Sequence, residues 1–140
     1  MSKRILSMIG LLVLMALVTG LLTAAAPVPV PTFNLVQGLP ATMNVGETYT
    51  VIVQVESDQP FTSVTALPSF QFPGKGVVAV QGGSRAGRES TATLVVTFEA
   101  KSSTAAFPTG GFAPVHVVVG VRYAGGYVEV RDFLFNVTIP

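Results

Sequence analysis

The chain contains no cysteine and no tryptophan, only one histidine, and few charged residues, which make up 11% of the sequence. Without cysteine there can be no disulfide, no thiolate metal site of the blue-copper kind and no lipid-modified cysteine anchor. The lack of tryptophan argues against a carbohydrate site built on ring stacking. The fold must therefore be stabilised by apolar packing and strand pairing alone.

The charge of the chain is small and balanced. Eight basic and seven acidic residues give a formal net charge of +1. If the segment containing Lys3 and Arg4 is removed, six basic residues remain against seven acidic ones, and the net charge is near −1. Neither value is typical of proteins that bind nucleic acid or an anionic membrane surface. We expect no nucleic-acid partner, and membrane contact only through the N-terminal segment if it is retained.

The N-terminal segment predicts export from the cytoplasm. Lys3 and Arg4 precede an uncharged apolar run from Ile5 to Ala26, an arrangement that directs the following chain across a membrane. The run is long enough for a transmembrane anchor, but it ends on small residues that suit signal-peptidase cleavage after Ala25. Residues 1–25 are thus either a signal peptide or a transmembrane anchor. In both cases the rest of the chain is extracytoplasmic: secreted, periplasmic or on the cell surface.

The remainder divides into a short spacer and one domain. Alternating prolines at positions 27, 29 and 31 remove amide donors and favour an extended chain, so residues 26–32 are predicted to be a Pro-rich spacer. Residues 33–140 have the length of a domain with a single core. Their abundant valine, threonine and phenylalanine favour strands over helices.

Apolar and polar residues alternate in this domain with the two-residue period of half-buried strands. In the clearest example Tyr49, Val51 and Val53 share one face, and polar residues occupy the other. Pro68 places its strand at an edge or a bend. A change of phase near Arg131 predicts a β-bulge in the last strand. The seven predicted strands lie at 33–37, 47–56, 62–71, 76–81, 90–99, 113–123 and 127–139.

Seven strands of this size predict an all-β fold of two packed antiparallel sheets. The stretch from Val45 to Val55, in which Gly46-Glu47 precedes alternating valine and threonine, resembles the second strand of the immunoglobulin-like modules of prokaryotic secreted and surface proteins. The resemblance implies a single immunoglobulin-like β-sandwich. It also implies a role as a spacer, adhesion unit or assembly part, and it brings no catalytic residues.

No set of residues predicts a catalytic, cofactor or metal site. Gly82 to Glu89 has the glycine spacing of a phosphate-binding loop, but Arg88 replaces the required lysine and no helix follows, so a flexible connection is expected. His116 is alone on an outward position. Glu56 and Asp58 are the nearest acidic pair, and we expect them to be solvated turn residues, with a weak calcium site as the alternative.

Three groups of residues could make contacts with other molecules. Phe72, Phe107 and Phe112 lie in loops expected at the end of the domain away from the spacer, where they form a contact surface or fold back to plug the core. A second group, in the first strand, could leave its own domain and complete a neighbour's sheet, although pairing within the same domain is favoured. It comprises Phe33, Leu35 and Val36. Asn136, in Asn-Val-Thr, is a possible glycosylation site.

Together these features predict a non-enzymatic structural or interaction module that acts through protein contacts at the cell surface or envelope. Its partners would be further copies of itself or other envelope proteins, and no cofactor is expected. Three alternatives remain open. They are an assembly or filament subunit that uses strand addition, a module that binds carbohydrate or another surface polymer, and a membrane-anchored accessory subunit of a complex.

Overall fold

The computed structural model describes residues 27–140, and in this range the chain is all-β, as predicted, with no helix. The predicted signal peptide or anchor at residues 1–25 lies outside the described residues. Among residues 27–140 no helix has the length and apolar character needed to cross a membrane.

Six strands form one antiparallel sheet in the order β3-β4-β2-β5-β6, and β1 pairs with the first half of β2. The strands are β1 (Pro31–Gln37), β2 (Thr48–Phe70), β3 (Val77–Gln81), β4 (Gly83–Ala100), β5 (Ala113–Tyr123) and β6 (Val128–Val137).

Residues 27–140 form six strands and not seven, because the predicted strands at 47–56 and 62–71 are one continuous strand, β2. Residues 57–60, expected to form a loop, lie inside β2, where its register with β4 shifts between Glu56 and Phe61. We call residues 57–60 the bend. The polar residues and the proline of this stretch resemble a loop in sequence, but they accompany a change of strand direction.

The first half of β4 was also expected to be a connection. Residues 83–89 instead pair with the second half of β2, ending at Ala66 opposite Gly83. Residues 84–89 are exposed and Gly83 is half-buried, so pairing with β2 and not burial accounts for this part of the strand. Pro68 lies just beyond the ladder, where β2 pairs only with β5, which confirms the predicted edge position.

Strand β4 doubles back on itself. Gly83 and Val95 are twelve positions apart and would be about 40 Å apart in a straight strand. A Cβ atom placed on Gly83 would nevertheless lie 2.8 Å from the carbonyl oxygen of Val95. The paired strands β2 and β4 therefore curve strongly, and both halves of β2 contribute side chains to one core.

The predicted inward residues form this core. Buried residues of both halves of β2, of β4 and of β5 belong to one apolar cluster. They include Val51, Val53, Val55, Phe61, Val64, Leu94, Val96, Phe98, Val115, Val117, Val119 and Val121.

The β-bulge predicted near Arg131 and Asp132 is wrong. The register of β5 and β6 runs without a shift from Ala113 opposite Val137 to Arg122 opposite Val128. Two glycines in the left-handed region, Gly125 and Gly126, make the turn that precedes this regular hairpin. As a result the phase change is not corrected, and the first valines of β6 stay exposed.

The end of the predicted spacer is held against the bend. The side-chain amide of Gln59 donates to the carbonyl of Pro27 at 2.8 Å. The backbone N–H of Val30 donates to Oδ1 of Asp58 at 3.0 Å. Asp58 therefore accepts a hydrogen bond from the chain that leads into β1.

The close approach at Gly83 predicts that alanine is poorly tolerated there. Gly83→Ala would force Val95 backbone atoms to move, and we expect a loss of about 1–3 kcal/mol in the free energy of unfolding. Gly120→Ala is the matched control, because its Cβ would lie an ordinary 3.5 Å from Thr65 Oγ1. Its effect should stay within about 0.5 kcal/mol. Urea unfolding measures both, and equal losses would contradict the folded-back path of β4.

Candidate functional site

The loops at 71–76 and 101–112 meet at the end of the domain opposite the bend, which we call the far end. The backbone N–H of Lys101 donates to the carbonyl of Gly76 at 2.7 Å. The loop before β2 also reaches this end, because the N–H of Gly46 donates to the carbonyl of Ala100 at 2.7 Å. The contact between Lys101 and Gly76 joins the two loops that were predicted to carry Phe72, Phe107 and Phe112 at one end of the domain.

Two of the three predicted contact aromatics meet at the far end. The rings of Phe72 and Phe107 are 4.7 Å apart between centroids, at an angle of 58°. Phe107 also packs against the buried core, and Gly76 leaves room for its ring. Phe112 lies outside this pair, and the Thr109 hydroxyl donates to its carbonyl. All three rings are half-buried, and the position of Phe107 favours the plug over the contact surface.

A buried hydroxyl fixes the loop that carries Phe107. Thr104 is fully buried, and its Oγ1 accepts a hydrogen bond from the Ile139 N–H at 2.9 Å. The same hydroxyl donates to the carbonyl of Gly111 at 2.6 Å. The loop is thereby joined to the end of the chain. The sequence gives no signal for this role, because a threonine among serines and alanines is typical of a solvated loop.

Removal of this hydroxyl should destabilise the domain. Thr104→Val keeps the shape of the side chain but leaves the Ile139 N–H and the Gly111 carbonyl without a partner. We expect a loss of about 1–3 kcal/mol in the free energy of unfolding. Thr104→Ser retains the hydroxyl and is the control. Thermal or urea unfolding compares the two variants. If Thr104→Val is no less stable than Thr104→Ser, the hydrogen bonds of this hydroxyl do not contribute the expected free energy.

The plug predicts that Phe107 contributes more to stability than Phe112. Phe107→Ala removes contacts with the core and with Phe72, and we expect a loss of about 2–4 kcal/mol in the free energy of unfolding. Phe112→Ala should cost less than half as much. Denaturant unfolding compares the two variants. Equal, small losses would favour the alternative in which these rings serve a ligand.

A more exposed apolar surface lies on the sheet formed by the second half of β2, β5 and β6. On the side away from the core, Leu67 of β2 lies opposite Val118 of β5. Val130 and Leu134 of β6 are the diagonal neighbours of Val118. Gly120 lies opposite Val130, and because it has no side chain there is a shallow depression in this surface beside Val130. The exposed fractions are 60% for Leu67, 59% for Val130, 54% for Leu134 and 45% for Val128. We call Leu67, Val118, Val128, Val130 and Leu134 the outer face.

The solvent side of the first half of β2 and its partner in β4 is different. Its cross-strand pairs are mostly polar, including Thr50 with Thr97 and Gln54 with Thr93. The hydroxyls of the first pair lie 3.4 Å apart. One solvent side of the domain is thus mostly polar, whereas the other carries the five apolar residues of the outer face, with His116 and Asp132 among them.

An ion pair that the sequence analysis missed lies among the residues of the outer face. His116 Nδ1 lies 2.8 Å from Oδ2 of Asp132, and both side chains are partly exposed. The hairpin register places His116 opposite Leu134, so Asp132 is its diagonal neighbour on the same face. This pairing could have been found by counting residues on each side of the Gly125-Gly126 turn.

Two further ionisable groups, Glu47 and Tyr127, form hydrogen bonds with residues close to them in sequence. A hydrogen bond from the Asn44 N–H, with a smaller one from its side-chain amide, lowers the pKa of Glu47. Partial burial, with smaller contributions from Glu129, raises the pKa of Tyr127. The Tyr127 hydroxyl donates to Glu129 Oε2 at 3.2 Å. Among the described residues no three His, Asp or Glu side chains are grouped as metal ligands would be.

The predicted strand-donation residues lie in β1, which pairs with β2 of the same chain. Phe33 is half-buried against the core, whereas Leu35 and Val36 are exposed. Asn136, the possible glycosylation site, is exposed on β6. The structure brings none of these residues into the outer face or the aromatic pair.

Comparisons with known proteins identify no family. No family model matches the chain, and no curated protein matches it. Among solved structures, the chain is similar to the native conformation of E. coli alpha-2-macroglobulin, with 14% identity and a TM-score of 0.47 over 83% of this chain and 7% of that one. It is also similar to AvmM, which catalyses macrocyclization in alchivemycin A biosynthesis, with 12% identity and a TM-score of 0.45 over 79% and 88% of the two chains. Similarity this low carries no argument about fold or function.

Proposed function

We propose that the protein is a non-enzymatic module that acts through protein contacts at the cell surface or envelope, and that the outer face makes those contacts. The observation that carries this proposal is the exposure of apolar side chains on β2 and β6, with the half-buried Val118 of β5 between them; Leu67 and Val130 are each about three-fifths exposed. A group of exposed apolar side chains around a single ion pair, here His116 with Asp132, is typical of an interaction surface.

The contrast between the two solvent sides supports the same proposal. A sheet that faces only water normally carries polar residues on that side. The chain follows this rule with threonine and glutamine pairs on the first half of β2 but departs from it around Val118. Removal of an apolar side chain from water lowers the free energy. A complex in which a partner covers the outer face would therefore be stabilised.

We further propose that the domain is an immunoglobulin-like β-sandwich outside the cytoplasm. The common core of the two halves of β2 supports two packed layers. The basic and apolar segment at the start of the chain supports the location. A module in that location would meet copies of itself or other envelope proteins.

The absence of native cysteine makes a direct test possible, because one introduced cysteine reports on one position. In cells that make the protein, Leu67→Cys should react several-fold more slowly with a membrane-impermeant maleimide than Val80→Cys. Val80 is a matched control, since it is 53% exposed on β3 and lies outside the outer face. In the dilute purified protein the two rates should be similar.

The two parts of the proposal fail in different ways. Equal rates at both positions in intact cells would show that nothing covers the outer face. Reaction at neither position until the cells are permeabilised would show that the domain does not lie outside the cytoplasmic membrane.

A further inference from the structure

Strand β6 has a free edge. Among the described strands it pairs only with β5. The N–H of Tyr123 donates to the carbonyl of Tyr127, which sets the alternation of hydrogen bonds along the hairpin. Glu129 and Arg131 consequently bond to β5, whereas the N–H and C=O groups of the even-numbered residues from Val128 to Asp132 point away from the sheet.

The edge of β6 is regular, whereas the other edges among the described strands are not. The first half of β4 pairs only with β2, contains Gly83 and Gly87, and shifts register after Glu56 and again after Phe61 of β2. Strand β1 follows alternating prolines and shifts register after Leu35. Strand β3 has five residues and shifts register after Ala79. Short or irregular edges prevent pairing with other chains, but β6 has ten residues in unbroken register, with no proline and no glycine.

Only the first half of this edge is open. Beyond β6, the backbone of Thr138 forms hydrogen bonds with Ala41 and Met43, so the loop between β1 and β2 occupies the edge there. A strand added to β6 must therefore pair around Val128 to Asp132 and avoid Thr138.

The two charged residues on either side of Val130 are complementary to each other. When two β6 strands pair antiparallel about a twofold axis at Val130, Glu129 of each copy lies opposite Arg131 of the other. Opposite charges at facing positions stabilise a strand pair, and like charges destabilise it. Axes at the neighbouring positions are unfavourable, because they place Glu129, Arg131 or Asp132 opposite its own copy. An axis at Phe133 would bring Val128 to the occupied position at Thr138.

We infer that two copies of this protein pair through β6, antiparallel and centred on Val130, to form one continuous sheet. This inference goes beyond the proposed function, because it concerns the edge of the sheet and not the outer face, which pairing through β6 leaves uncovered. The interface is isologous, with the same strand contributed by each copy. It joins the two outer faces at Val130. Asn136 lies outside the paired stretch.

Single cysteines test the register. Facing Cα atoms in a hydrogen-bonded antiparallel pair are about 5.5 Å apart, within the range of a disulfide. In the full-length protein under mild oxidation, Val130→Cys should form a disulfide-linked dimer. Val128→Cys and Leu134→Cys are controls on the same face of the same strand, and each would lie several residues from its own copy. Similar yields at all three positions would overturn the proposed pairing.

A charge exchange tests the pairing independently. Glu129→Arg alone and Arg131→Glu alone each place like charges opposite one another, and each should weaken the dimer about tenfold in sedimentation equilibrium. The double variant restores opposite charges and should recover the dimer. Thermal unfolding of dilute protein checks that the variants fold, since Glu129 also accepts from Tyr127 and Arg131 lies 5.9 Å from the Phe133 ring centroid.

The outcome also separates this inference from the proposed function. A wild-type protein that remains monomeric at high concentration, while Leu67→Cys stays protected in cells, overturns self-pairing and leaves another protein as the occupant of the outer face. A dimer through Val130→Cys with an unprotected Leu67→Cys supports self-pairing and overturns contact through the outer face.

Discussion

The structure depends on the hydrogen-bonded ladder between β2 and β4. It runs from Thr48 opposite Glu99 to Ala66 opposite Gly83, through the bend, and it keeps most of the backbone paired while both strands change direction. Because the ladder curves, Val51 and Phe61 of one strand can reach the same core. In a chain without disulfides this core and the pairing that shapes it must supply the stability.

Much of this could be predicted from the sequence, because burial on one side of a strand leaves a period of two. The inward rows around Val53, Leu94 and Val117 follow directly from that period. The edge position of Pro68 follows from its missing N–H, and the hairpin between β5 and β6 follows from Gly125-Gly126. These inferences depend only on residues close together in sequence.

The rest depends on contacts between distant residues. The sequence of the bend predicts a loop, because polar residues and a proline are typical both of loops and of strongly curved strands. The absence of the bulge and the His116–Asp132 pair both follow from the register of β5 and β6. The alternation of residues within one strand does not determine that register. The role of Thr104 depends on a hydrogen bond with Ile139, thirty-five residues away, and no local sequence pattern predicts such a bond.

The position of β1 has a mechanical consequence. Pro31 begins β1 beside Ser57 at the bend, whereas Ile139 lies at the far end with Thr104. Tension between Pro27 and Pro140 therefore acts along the length of β1, across its hydrogen bonds to β2. Those bonds are loaded in shear and must break together, so the domain would resist stretching far better than one whose terminal strand peels away bond by bond.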